Sequence, residues 1–345
     1  MNLEEFHPIP TLRTKNTLIK KARFPVIDAH NHLDDDFGGG WIHKPLSTIL
    51  AILDDVNVRI FVDLDGAWGD RILQNHINKL KLKAPETFRV FCGVEWERWV
   101  DLGPKFPEWA AEQLRTKVGW GADGLKVWKN FGLQVRDDRN ILVQVDDPRL
   151  NVLWNTAADL DIPVMMHTGD PIAFFEPLDG QNERFEELSA HPESHFPSPP
   201  YPGFDSLLKG FGRLVESHPG TTFIGAHLAG YAENLRWVGK LLDRCPNLWV
   251  DISGRIGELG RQPYTARKFM IHYADRILFG LDQGLDKFGY QTAYRFLETD
   301  DEYFNYSSGI VPPQGRWYIY GLYLPDEVLK KIYFDNAQKA LKIHY

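Results

Sequence analysis

Cysteine is nearly absent from this chain, with only Cys92 and Cys245 in 345 residues. One lies inside the apolar run 88–94 and the other precedes Pro246. Neither has a neighbour at C-x-x-C spacing, so a disulfide framework and a cysteine-built metal site are both excluded, and the two read as buried thiols. Long apolar runs are missing as well. No stretch reaches the roughly 20 residues that a membrane helix needs, and residues 1–24 lack the apolar centre of a signal peptide. A membrane partner is therefore not expected. The chain as written reads as cytoplasmic, or as exported if a signal peptide once preceded it. Basic runs are absent too: 39 Lys+Arg stand against 47 Asp+Glu, a formal net charge of -8, which argues against nucleic acid as a partner. No G-x-G-x-x-G follows the first strand-like run, which weakens the case for an open dinucleotide-binding sheet. Internal repeats and low-complexity segments are also missing.

What is present is a chain with the makings of a large core, 43% hydrophobic and 13% aromatic. Eight short β-rich runs recur at 24–28 (FPVID), 58–64 (VRIFVDL), 88–95 (FRVFCGVE), 124–128 (GLKVW), 162–167 (IPVMMH), 221–227 (TTFIGAH), 248–252 (LWVDI) and 276–282 (RILFGLD). Helical patterns follow them at about 46–56, 70–84, 107–119, 148–160, 204–218, 231–244, 263–274 and 325–342. The strand runs are apolar nearly throughout, as strands covered on both faces are. Eight β–α repeats predict an α/β fold, a (β/α)8 TIM barrel, with residues 1–345 as one domain. Surplus chain falls at 168–203 and 283–324, which predicts long loops after strands five and eight.

Polar residues mark the ends of these runs. His30 and His32 are two apart and share one side of an extended strand. His167 ends run five, His227 run six and Asp282 run eight. The C-terminal strand ends of a barrel share one mouth, so four imidazoles and a carboxylate converge there, the N/O donor set of a catalytic Zn2+, Mn2+ or Fe2+. Of the other histidines, His7, His43, His76, His191, His195, His218, His272 and His344 fall in helices, loops or the termini. Asp282 is either a ligand that also takes a proton from water or a carboxylate that orients a histidine.

The segments VIDAHNHL (26–33), PVMMHTGDP (163–171), FIGAHLAG (223–230), RILFGLDQG (276–284) and LPDEVLKKIYFDNAQKAL (324–341) resemble the amidohydrolase superfamily. The likeness is to its amidohydrolase-2 branch, which includes aminocarboxymuconate-semialdehyde decarboxylase-like enzymes and metal-dependent lactonases. It implies that His30, His32, His167 and Asp282 bind the metal, most simply Zn2+, with Mn2+ or Fe2+ as alternatives. It also implies that His227 is a ligand or a catalytic group. Lys126, at the end of run four, stands where two-metal members carry a carboxylated lysine. Its alternatives are an ion pair with Asp282 or a contact to a substrate carboxylate. The run GLDQG departs from the Thr-Asp-aromatic-Pro of many relatives, and 283–324 is unusually long.

Arg255 and Arg261 offer either a clamp for a carboxylate, phosphate or polyol, or a brace to Glu258 or Glu183. Trp41, Trp68, Trp96 and Trp128 lie near strand ends and suit either a flat substrate, with Trp128 the candidate contact, or loop packing. The charged stretches 78–83 and 330–331 read as solvated faces. Together these readings predict a metal-dependent hydrolase that activates water against a lactone, ester or amide of a small-molecule substrate. Its alternatives are a non-oxidative decarboxylase or hydratase and, as a lesser one, a binding barrel without turnover. A homodimer is the assembly that such barrels suggest.

Overall fold

The eight apolar runs become eight parallel strands of one sheet in a computed structural model that describes residues 2, 5, 6 and 8–343. His7 and His344 lie outside the described residues. The strands are β1 (Val26–Asn31), β2 (Val58–Asp63), β3 (Phe88–Cys92), β4 (Gly124–Val127), β5 (Val164–Met166), β6 (Phe223–Gly225), β7 (Leu248–Asp251) and β8 (Ile277–Leu278). Each pairs with the next in chain order. The Ala29 amide donates to the Phe279 carbonyl, and the Asp282 amide to the His30 carbonyl, each at 3.0 Å, bringing the end of the sheet back to its start. The fold is the expected (β/α)8 barrel.

The pleat sorts each strand's side chains into two sets. Ile27, Ala29, Ile60, Val62, Phe91, Met165, Ile224 and Leu278 fill the interior. Val26, Val58, Phe61, Val90, Leu125, Val164, Phe223 and Val250 pack outward in the same cluster as the helices. The helix Phe204–Ser217 shows why these elements form, since Leu207, Leu208, Phe211, Leu214 and Val215 recur at helical spacing and are all buried. Ala337, Ala340, Leu341 and Ile343 join the interior cluster, so the C-terminal segment closes the barrel end opposite the mouth.

Boundaries differ from the expectation: β1 runs on to Asn31 rather than ending at 28, β8 is confined to Ile277–Leu278 within the run 276–282, and three further segments differ. The helix read from 231 begins at Leu235, because the Asn234 side chain accepts from the Trp237 amide at 3.1 Å and caps it there. The segment 283–324 is not all loop. It opens with the helix Lys287–Glu298, capped by Asp286 and buried through Tyr290, Ala293, Tyr294 and Leu297, an i, i+3, i+4, i+7 stripe. The fifth loop carries the short helix Phe185–Ala190. Both cysteines are buried and free, as expected. Among the described residues no helix is long and apolar enough to cross a membrane.

Candidate metal centre at the barrel mouth

Ligand atoms of His30, His227 and Asp282 lie within 4.8 Å of one another. The Nε2 atoms of His30 and His227 face the Asp282 carboxylate at 3.7 and 3.8 Å, and His32 Nε2 lies 3.2 Å from the same group. What aims them is a ring of acceptors behind. His30 Nδ1 donates to Asp251 Oδ2 at 2.9 Å, His32 Nδ1 to Asp65 Oδ1 at 2.7 Å and His227 Nδ1 to the Ser253 carbonyl at 2.8 Å. Because those partners only accept, Nδ1 must carry the proton. In neutral His30 and His227 the Nε2 lone pair is then turned toward the mouth, which is how metal-binding imidazoles are oriented. The donor set and its bracing both fit a divalent cation of the Zn, Mn or Fe type.

Burial decides most of the electrostatics. It holds His30, with the Lys126 charge adding to the effect, below its ordinary pKa, and drives His227 well below it, so both are neutral at neutral pH. His32 is pushed up to about 9: burial opposes the charge, but hydrogen bonds to Asp282 and Asp65 outweigh it. Asp282 is held well below the usual carboxylate range, because electrostatic attraction to the His30 ring and the hydrogen bond from His32 overcome its desolvation.

Two of the three clustered residues have left-handed backbones. Asp282 has φ +59°, and His227, Leu228 and Ala229 form a turn at φ +57°, +58° and +55° directly after β6. The Asp251 carboxylate accepts the His227 amide at 3.0 Å and pins that turn. Non-glycine residues in this region carry strain, and such strain concentrates at functional sites.

His167 is held differently. Burial lowers its pKa to about 4, and its Nε2 faces Asp170 Oδ1 at 3.3 Å, on a carboxylate that also takes Lys129 at 2.6 Å. Its ring lies 4.4 Å from that of His227, beside the cluster. Lys126 is buried, its pKa lowered to about 8 by desolvation, with Nζ 3.1 Å from His30 Nε2 and 4.8 Å from the Trp128 ring.

The cavity in front of these groups measures about 390 Å3 and has an aromatic wall. Trp68 stacks on Trp128 at 4.2 Å, and Trp128 stacks on His32 at 5.3 Å. Trp96, by contrast, stacks on Phe131 in the core. Arg261 forks onto Glu183 at 2.8 and 3.0 Å, the geometry of a brace between loops. Arg255 donates to the Gly254 carbonyl and lies 3.8 Å from Asp170, behind the cavity lining.

Sequence reasoning passed over Asp251, Asp65, Asp63 and His76. His76 is no scattered background histidine, since it is buried with Nδ1 on Asp63 Oδ2 at 2.5 Å, next to the Asp65 that holds His32. The signal was available: Asp63 and Asp251 end β2 and β7 as polar residues, the criterion that singled out His167 and Asp282.

A parallel barrel with imidazoles and carboxylates gathered at its C-terminal mouth is the architecture of an enzyme. The chain belongs to the amidohydrolase family, whose family model matches residues 27–343. Among solved structures it is similar to a 2,6-dihydroxybenzoate decarboxylase complexed with 2,6-dihydroxybenzoate, at TM-score 0.55 and 15% identity over 93% of this chain and 100% of the other. A 5-carboxyvanillate decarboxylase from Sphingomonas paucimobilis matches at TM-score 0.52 and 11% identity, over 86% and 82%. An amidohydrolase from Burkholderia multivorans with bound zinc matches at 0.51 and 12%, over 93% and 100%. At these identities the likeness is one of fold. No protein of curated function matches the sequence.

Proposed function

We propose that this enzyme is a metal-dependent hydrolase acting on a lactone, ester or amide of a small molecule. The observation that carries the reading is the convergence of His30 Nε2, His227 Nε2 and the Asp282 carboxylate, with both Nδ1 atoms committed to acceptors behind. His30, His227 and Asp282 would hold the cation, with His32 and His167 beside them as further donors. A divalent cation in such a place supplies Lewis acidity and lowers the pKa of water to about 7. Asp282, the most exposed of the three at 24%, is the carboxylate placed to receive a proton from the attacking water. Trp68 and Trp128 give the non-reacting part of the substrate a flat apolar wall and exclude water from that side.

Decarboxylation is the second reading, favoured by Lys129 at the same aromatic wall and by the decarboxylases among the similar folds. Lys129, rather than Arg255 or Arg261, is then the cation that meets a substrate carboxylate.

The test is elemental analysis of the purified protein together with two assays, acid release from lactones and esters and CO2 release from hydroxylated benzoates. About one Zn, Mn or Fe per chain, lost in His227→Ala, is expected, with acid release reduced at least about 100-fold in Asp282→Asn. A Lys126→Ala variant that loses one of two metals would make the centre binuclear. Full hydrolytic activity in metal-free protein overturns the reading, and CO2 release without acid release replaces it with the second.

A further inference from the structure

A groove of about 390 Å3 on the outer face of the barrel runs between the helices Leu235–Arg244 and Pro263–His272, which follow β6 and β7. No residue lines both this groove and the cavity at the mouth. Its floor is apolar: Leu235 and Phe269 are buried there, and Gly239 keeps the floor low, since a methyl group on that residue would lie 2.7 Å from the Tyr273 hydroxyl.

The walls are basic. Arg236 and Lys240 stand four apart on one helix, Lys268 and His272 four apart on the other, and all four are exposed. Residues at that spacing share a helix face, so each helix turns a pair of basic groups toward the groove. Among the described residues none of the four head groups has a hydrogen-bond or ion-pair partner. Basic neighbours outside the groove are satisfied: Arg244 donates to Glu216 at 2.7 Å and Arg267 to the Leu322 carbonyl at 3.0 Å. One carboxylate lines the groove, that of Asp243, which lies about one turn beyond Lys240 and accepts the Tyr273 hydroxyl at 3.1 and 3.2 Å. Helix stability does not account for this arrangement. Like charges at i, i+4 repel, and Arg236 stands in the first turn of its helix, where the dipole disfavours a cation. On a chain of net charge -8, unpaired basic groups facing one another across a groove are complementary to an anion from outside. Arginine forks onto phosphate or carboxylate oxygens, lysine meets them as a point charge, and the exposed Thr265 hydroxyl adds a donor. A space of this size suits a small molecule.

We propose that this groove binds a small anion of two or more charges, a phosphate ester or a polycarboxylate. It stands independently of the reaction assigned to the metal centre. The test is calorimetric titration of the full chain, at low and at high salt, with fructose 1,6-bisphosphate and tricarballylate, using fructose as the neutral control. Saturable binding of at least one anion is expected, weakened at least about fivefold in each of Arg236→Gln and Lys268→Gln, weakened by added salt, and unchanged in Lys129→Gln, which alters the mouth. The tighter of the two probes tells a phosphate ester from a polycarboxylate. Binding should persist in His227→Ala, so its failure and the failure of the hydrolase reading are told apart. Melting temperatures no lower than wild type are expected for the Arg236 and Lys268 variants, because each substitution removes a repulsion; a fall would make the cation part of the fold and overturn the proposal. Absence of saturation with both anions, unchanged affinity in the Arg236 and Lys268 variants, or loss of binding in Lys129→Gln also overturns it, as does equal binding of fructose or tighter binding of the acidic peptide hexaglutamate.

Discussion

Asp251 does more for the candidate centre than its place behind the imidazoles suggests. One carboxylate orients His30, takes the His227 amide and accepts from the Ser253 hydroxyl at 2.5 Å, so a single side chain fixes the tautomer of one candidate ligand and the backbone of the other. Asp251→Asn can no longer accept at every one of these contacts, and it should weaken metal affinity about 10- to 100-fold, read by competition against a chromophoric chelator. An unchanged affinity would show that the imidazoles orient themselves. Asp137 acts on stability instead. Its carboxylate accepts the Ile141 and Arg139 amides and pairs with Arg149 at 2.9 Å, and these bonds, that from Ile141 foremost, hold its pKa at about 2, below the ordinary 3.8. A depressed carboxylate contributes stability that is fully present above pH 3.8 and is lost as pH falls through 2. Asp137→Asn should therefore narrow the gap in melting temperature between pH 6 and pH 2 relative to wild type, measured by circular dichroism.

At the scale of elements, the left-handed turn after β6 is the most demanding feature. Each non-glycine residue in that conformation costs roughly 1–2 kcal/mol, and the turn persists because Asp251 and the packing around it hold it. Gly225 leaves room for it: a methyl there would lie 2.9 Å from Ala229 Cβ. Gly225→Ala should destabilise the protein by about 1–3 kcal/mol in denaturant titrations and lower its metal content through His227, whereas a neutral effect would mean that the turn is freely adaptable. Helix caps are simpler. Asn234→Ala removes the acceptor of the Trp237 amide and should cost about 1 kcal/mol with metal content unchanged. The helix Lys287–Glu298 shows where the sequence was legible and overlooked, since Asp286 and the stripe 290, 293, 294, 297 are an ordinary cap and face. Aromatic and glycine density around it conceals the pattern.

At the scale of the whole molecule, a cation held at the proposed centre would be coupled to the barrel. Residues from β1 and from the segments after β6 and β8 meet at the centre, so an ion that binds only the folded chain stabilises the closure of the entire sheet. At 100-fold excess over its Kd the ion adds about 2.7 kcal/mol. Chelation should thus lower the melting temperature, and Zn2+ or Mn2+ should restore it; a melting temperature indifferent to chelation would place the ion off the fold's stability axis.

The sequence by itself determined the barrel, because short, nearly all-apolar strand runs and period-3.6 helices are written locally and eight such pairs leave few ways to cover every strand. It also marked His30, His227 and Asp282, since a polar residue closing an apolar run is visible without any partner. Only the tertiary structure decided which nitrogen of each imidazole faces the mouth, because the acceptor that settles it for His30 stands 221 residues away. The same holds for Arg261, whose fork fits a ligand or Glu183 equally well until the fifth loop and the helix Ile256–Arg261 are brought together. Local periodicity is a property of the backbone, but convergence of side chains exists only once the strands have closed on one another.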